Sequence, residues 1–167
     1  LNALNGGQIV TNVEGTWAFA ASKFIFTATN PNMVAWSKGT SKGDSGSWDA
    51  TNFNGQTVGG SVDSALPLVF DAVPNVDTVT INVKGDVYAS LAQVSGETTY
   101  VFEGANSIVN IGTALRIRDG ELVVNTAMKV DGEGIDIQAG GSLTVGAAGT
   151  LQMDNVSLAQ GATLNLN

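Results

Sequence analysis

The 167-residue chain contains no cysteine and no histidine. Without Cys there is no disulfide, no thiolate metal site and no cysteine nucleophile. Without His the commonest zinc ligand and the commonest general base are missing, so a conventional serine triad cannot be assembled. Positive charge is also scarce: 7 basic residues face 15 acidic ones, for a net charge of -8. That balance argues against nucleic acid as a partner, because phosphate binding depends on clustered Lys and Arg. Arg116 and Arg118 are the only close basic pair on an expected strand, and they read as a solvated sheet face. Long apolar runs are absent too. The nearest, TWAFAASKFIFTA at 16 to 28, is interrupted by Ser22 and Lys23 and falls short of the ~18 residues of a spanning helix. No transmembrane segment is therefore expected. The chain opens on Leu1 rather than Met, which reads as a processed product or a cut fragment.

What is present favours strands and turns. Twenty-one glycines and abundant Thr, Asn and Val are poor helix material. Residues 78 to 83 read TVTINV, with Val79, Ile81 and Val83 on one face. SIVNIG, ALRIRD, ELVVN, IDIQAG, SLTVG, TLQMD, VSLAQG and ATLNLN continue the same short alternation, mostly separated by Gly, Asn or Asp. An all-β chain is expected.

The spacing says which kind. Val101, Leu122, Leu143 and Leu164 form one series with a 21-residue step, and Val124, Val145 and Leu166 lie two positions on from the last three. Val109, Val130 and Leu151 form a second series, and Leu115, Ile135 and Val156 a third. Three phased series imply three short strands per coil, and a fixed period near 20 residues marks a solenoid. The fold expected is a right-handed parallel β-helix of about 21 residues per coil, with these residues stacked as interior columns and Thr144, Gln152, Asp154, Ser157 and Asn165 outside. An antiparallel sandwich also uses many short strands, but it has no reason to hold one phase in three series.

The first third reads differently. QIVTNV, WAFAAS and KFIFTAT are longer and more aromatic, with Trp17 alternating with Phe19 and Phe24 with Phe26. Residues 37 to 64 are rich in Gly and Ser, and the composition shifts again at 65 to 77. The division expected is an irregular β-rich head over 1–64 and a solenoid body over 65–167.

Within the loop-rich stretch, GSWDATNFNG at 46 to 55 places a large aromatic among turn formers. Trp36, Gly39, Gly46, Trp48, Asn52 and Phe53, then Phe70-Asp71, Val79 to Val83 and Tyr100-Val-Phe102-Glu-Gly104, resemble the autotransporter-associated β-strand repeat family. The likeness covers about 36 to 167, and Phe53 stands where that family usually has Trp. It implies a secreted, passenger-type β-helix in which Trp36, Trp48 and Phe53 form a lid over one solenoid edge. The competing reading makes the same rings a platform for sugars.

The acidic residues of VDGEGIDIQ, namely Asp131, Glu133 and Asp136, with Asp119 and Glu121 one coil earlier, sit at Gly-rich corners. Solvated turns, a weak calcium site and paired-carboxylate catalysis are the three readings of such a group. Turn formation accounts for them without a cofactor.

These features point to a structural or adhesive protein of the bacterial cell surface or extracellular space, not an enzyme. Two alternatives stand beside it: a glycan-binding module using residues 36 to 53, and a fragment of a larger passenger. ATLNLN keeps full register with the columns, and nothing in it blunts the edge it would expose. A homopolymeric fibre is therefore expected, built by strands around Trp17, Phe19, Phe24 and Phe26 docking head-to-tail on the coil of Leu164 and Leu166.

Overall fold

A computed structural model describes residues 15–20, 23–28, 33–36, 46–50, 52–53, 56–57 and 65–167. Its strands are β1 (Gly15–Ala20), β2 (Lys23–Ala28), β3 (Val34–Ala35), β4 (Gly46–Asp49), β5 (Asn52–Phe53), β6 (Gln56–Thr57), β7 (Leu68–Phe70) and β8 (Thr78–Lys84). They continue as β9 (Asp86–Val94), β10 (Thr99–Ile117), β11 (Glu121–Val130), β12 (Gly134–Ile137), β13 (Ser142–Val145), β14 (Thr150–Met153), β15 (Val156–Leu158) and β16 (Thr163–Leu166). The segment QIVTNV lies outside the described residues.

The chain is a β-solenoid of about 4 turns with a spacing near 22 residues. Each coil lays down three strands, and each strand pairs in parallel with its counterpart one coil away. The first sheet runs β4, β8, the start of β10, the start of β11, β13 and β16. The start of β9, the middle of β10, the end of β11 and β14 form the second. The third comprises β3, β7, the ends of β9 and β10, β12 and β15.

Alternation along each strand sends two residues inward per face, and parallel pairing stacks them. Val79, Tyr100, Leu122, Leu143 and Leu164 form one column, and Ile81, Phe102, Val124, Val145 and Leu166 its neighbour. On the third sheet Leu68, Ala92, Leu115, Ile135 and Val156 are level with one another, as are Phe70, Val94, Ile117, Ile137 and Leu158. Each fully buried Val, Leu, Ile or Phe in these columns contributes about 1.5–3 kcal/mol. The expected third series and the last three members of the first are found as read.

Two assignments need correction. Val101 points outward, and Tyr100 takes its place opposite Leu122. The coil from Tyr100 to Leu122 is one residue longer than the next, and a slip of one residue exchanges the two faces of a strand. In the second series Val109 is level with Met128 and Leu151, while Val130 lies in the adjacent column with Ile111 and Met153. The cause is local: Gly104 to Ser107 stand at a corner where the next coil has Thr126 alone. The Thr126 hydroxyl ties that irregularity down by donating to the carbonyls of Ser107 (2.7 Å) and Gly104 (3.0 Å). One coil earlier, the Ser107 hydroxyl donates to Val83 O at 2.9 Å and accepts from Gly85 N–H at 3.0 Å. Both side chains are buried. They satisfy backbone groups that the irregular corner removes from the ladder, which would otherwise cost about 1–3 kcal/mol each.

Contacts divide the chain into two compact units, Leu1–Met33 and Val34–Asn167. Within the first, β1 and β2 form an antiparallel hairpin in which Trp17 lies opposite Phe26 and Phe19 opposite Phe24. The solenoid unit thus begins at Val34, not near 65, because β3 pairs with β7 and β4 with β8.

Substitution separates the two faces of a strand cleanly. Leu143 is fully buried between Leu122 and Leu164, so Leu143→Asp should cost several kcal/mol, whereas the outward Thr144→Asp should cost about 1 kcal/mol or less. Thermal unfolding of the two variants checks this, and equal melting temperatures would contradict the assigned columns.

Candidate functional site

Three places were singled out in the sequence: the tryptophan-rich loop, the acidic corners and the last coil. The structure brings the loop aromatics together. Trp36 follows β3, Trp48 lies on β4 and Phe53 on β5, where it is directly opposite Trp48 in an antiparallel step. Their centroids are 4.8 Å (Trp36–Phe53) and 5.3 Å (Trp48–Phe53) apart, both edge-to-face. Phe70 is the hub of the cluster. It lies 5.2 Å from Tyr100, 5.1 Å from Phe102 and 5.6 Å from Phe53, with Trp36 at 6.5 Å and Trp48 at 6.4 Å. Such pairs add about 0.5–1.5 kcal/mol each beyond the area they bury.

All three loop rings are 0% exposed. A sugar platform needs an open ring face, and none of these rings has one. The aromatics instead belong to the core of the first coils, where Leu and Val of the interior columns give way to Phe70, Phe102 and Tyr100. The cluster carries one orphan, since Trp48 Nε1 is buried without a hydrogen-bond partner. Tyr100 reaches out of the cluster, and its hydroxyl donates to Asp71 O at 2.6 Å. Burial first, and the nearby Asp71 carboxylate second, push this phenol well above its ordinary value.

The acidic corner residues each have a separate polar partner. Asp131 Oδ2 pairs with Lys129 Nζ at 2.9 Å, Glu133 Oε2 with Arg116 at 3.2 Å, and Asp136 accepts from Gln138 at 3.3 Å. Asp119 accepts from Gly96 N–H at 2.8 Å, and Glu121 accepts from the Thr99 hydroxyl at 2.9 Å. Among the described residues no three acidic groups converge as a metal site would require. Between Asp131 and Asp136, Gly134 adopts a φ of 82°, and a Cβ there would collide with Asn155 O of the next coil. Glycine at this corner permits close stacking of the two coils.

At the last coil the columns reach the surface. Leu164 is partly buried, whereas Val156, Leu158 and Leu166 are 42%, 51% and 66% exposed. Among the described residues β14, β15 and β16 pair only on the side of the preceding coil. The side chains of Trp17, Phe19, Phe24 and Phe26 lie outside the described residues, and only their backbone register is given.

No family model matches the chain, and no curated protein or solved structure is significantly similar to it.

The buried polar bridges Thr98, Ser107 and Thr126 were missed in the sequence. Thr126 had a signal: it occupies the inward phase of the run Leu122, Val124, Thr126, Met128, Val130. Thr98 offers less warning, yet its hydroxyl accepts from Val73 N–H at 2.8 Å and donates to Val76 O at 3.0 Å.

Two measurements probe the cluster. Phe70→Ala should cost about 3–5 kcal/mol, read from urea unfolding, because it removes the ring that five other aromatics touch. Tyr100 should make the fold sensitive to alkali. Above about pH 10 the unfolded chain gives up this phenolic proton while the folded chain retains it, so stability falls as pH rises. Tyr100→Phe should cost about 1 kcal/mol at pH 7 by leaving Asp71 O without its donor. The gap between variant and wild type should then shrink between pH 9 and 11; a constant gap would contradict the assignment.

Proposed function

We propose that this chain is a structural β-solenoid of the bacterial cell surface or extracellular space, acting through its shape and surface and not through a reaction. The observation that carries the reading is the run of in-register columns from β7 and β8 to β16, with packed aromatic rings in the first coils. The interior is filled by side chains, as in a load-bearing rod. The bounds of the solenoid unit, Val34–Asn167, nearly coincide with the stretch that resembles autotransporter passenger repeats, and this supports placing the protein outside the cell. A surface bearing net charge -8 also favours solubility in that setting. Adhesion through residues 36 to 53 gains no support from rings without an open face.

Protease shaving of intact source cells tests the location. Fragments of the solenoid should be released, or the protein labelled, without lysis. Recovery only from the lysed interior would refute the proposal.

A further inference from the structure

We propose that the cavity between the first two coils, lined by residues 72–77 and by Glu97 and Thr98, binds a primary alkylammonium ion. Such a ligand is a free amine or the end of a lysine side chain. The site goes beyond the structural role proposed above and does not depend on where the protein resides.

The cavity measures about 310 Å³ and forms where the chain passes from β7 to β8. Its wall is built before any ligand arrives. Val76 N–H donates to Val73 O at 3.1 Å and closes a turn with Pro74 and Asn75 at its centre. Proline presets the φ of the first central position, and Asn75 takes a left-handed φ of 64° at the second, where Asn is well tolerated. From the next coil, the buried Thr98 hydroxyl accepts from Val73 N–H and donates to Val76 O. Thr99 N–H donates to Asp77 O at 2.9 Å. A turn held at both ends in this way loses little freedom when a ligand enters.

The lining sets the ligand class. Val73, Pro74 and Val76 offer aliphatic surface to a short carbon chain, and Asp77 and Glu97 supply two exposed carboxylates with no basic side chain beside them. Among the described residues neither carboxylate has a hydrogen bond or an ion pair. The acids that flank them in the chain or the next coil are occupied: Asp71 by the Ser95 hydroxyl, Asp119 by Gly96 N–H and Glu121 by the Thr99 hydroxyl. Of these five, the two without a side-chain partner are the two that line the cavity. A calcium ion takes six or more oxygens, and among the described residues no three acidic side chains converge. An ammonium needs less. Its three N–H donors are met by two carboxylates and water, while its stem rests on the aliphatic wall. The net charge of -8 also draws cations and repels anions.

The test is an NMR titration of the isotope-labelled 167-residue chain with n-butylammonium chloride at constant chloride. Saturable shifts should appear at the amides of residues 72–77 and 96–98, with a Kd on the order of 1 mM that weakens as salt is raised. Butanol, which has the stem without the charge, should give no saturation. Asp77→Asn and Glu97→Gln should each weaken binding about threefold, and together about tenfold. The melting temperature should hold within a few degrees, because both side chains are exposed. Nα-acetyllysine amide separates the two sources: tighter binding than butylammonium assigns the cavity to a lysine of a protein partner, and equal or weaker binding assigns it to a free amine. Absence of saturable shifts overturns the proposal. So does binding that the double variant retains in full, or calcium chloride producing the same shifts at lower concentration, which would make this a metal site. None of these outcomes bears on exposure at the cell surface, which protease shaving judges separately.

Discussion

Parallel hydrogen bonding between successive coils, residue level with residue, is the interaction on which everything else in the solenoid depends. Because Leu122 is held opposite Leu143 and Leu143 opposite Leu164, an inward position in one coil is inward in all of them. Apolar side chains then stack at the interstrand distance of about 4.8 Å, and the core becomes a set of columns instead of a centre. Each coil contacts mainly its neighbours, so stability accumulates along the axis, as in other repeat proteins.

The irregularity between Glu103 and Ile108 is paired with a polar repair. The four residues Gly104 to Ser107 replace one in the next coil, yet the strands on either side keep their register with β11. Hydroxyls of Ser107 and Thr126 reach across coils to the backbone that the bulge displaces. Asp119, Glu121 and Asp71 act similarly through Gly96, Thr99 and Ser95. The acidity of the chain is therefore partly structural, since several of its carboxylates bridge one coil to another.

Aromatic rings take over from aliphatic side chains in the first coils of the columns. There the rings of Trp36, Trp48 and Phe53 pack around Phe70, and β5 pairs antiparallel with both β4 and β6.

Much of this architecture was legible in the residues alone. The period of about 21, the three strands per coil, the inward phase of Leu122, Leu143 and Leu164, and the meeting of Trp36, Trp48 and Phe53 all followed from spacing or resemblance. Alternation and repeat length are properties of the chain itself, and they survive into any structure that stacks equivalent strands. Where the sequence misled, at Val101 and at Val130, one coil was longer or shorter than its neighbour. Constant spacing cannot reveal which corner absorbs the difference. The burial of the tryptophans, the choice of Phe70 as hub, the bridging roles of Thr98, Ser107 and Thr126, and the start of the solenoid at Val34 were decided only by tertiary structure. Each depends on which residue of one coil comes to lie level with which residue of the next, and that register is set by hydrogen bonds between segments some twenty residues apart, not by any local preference of the chain.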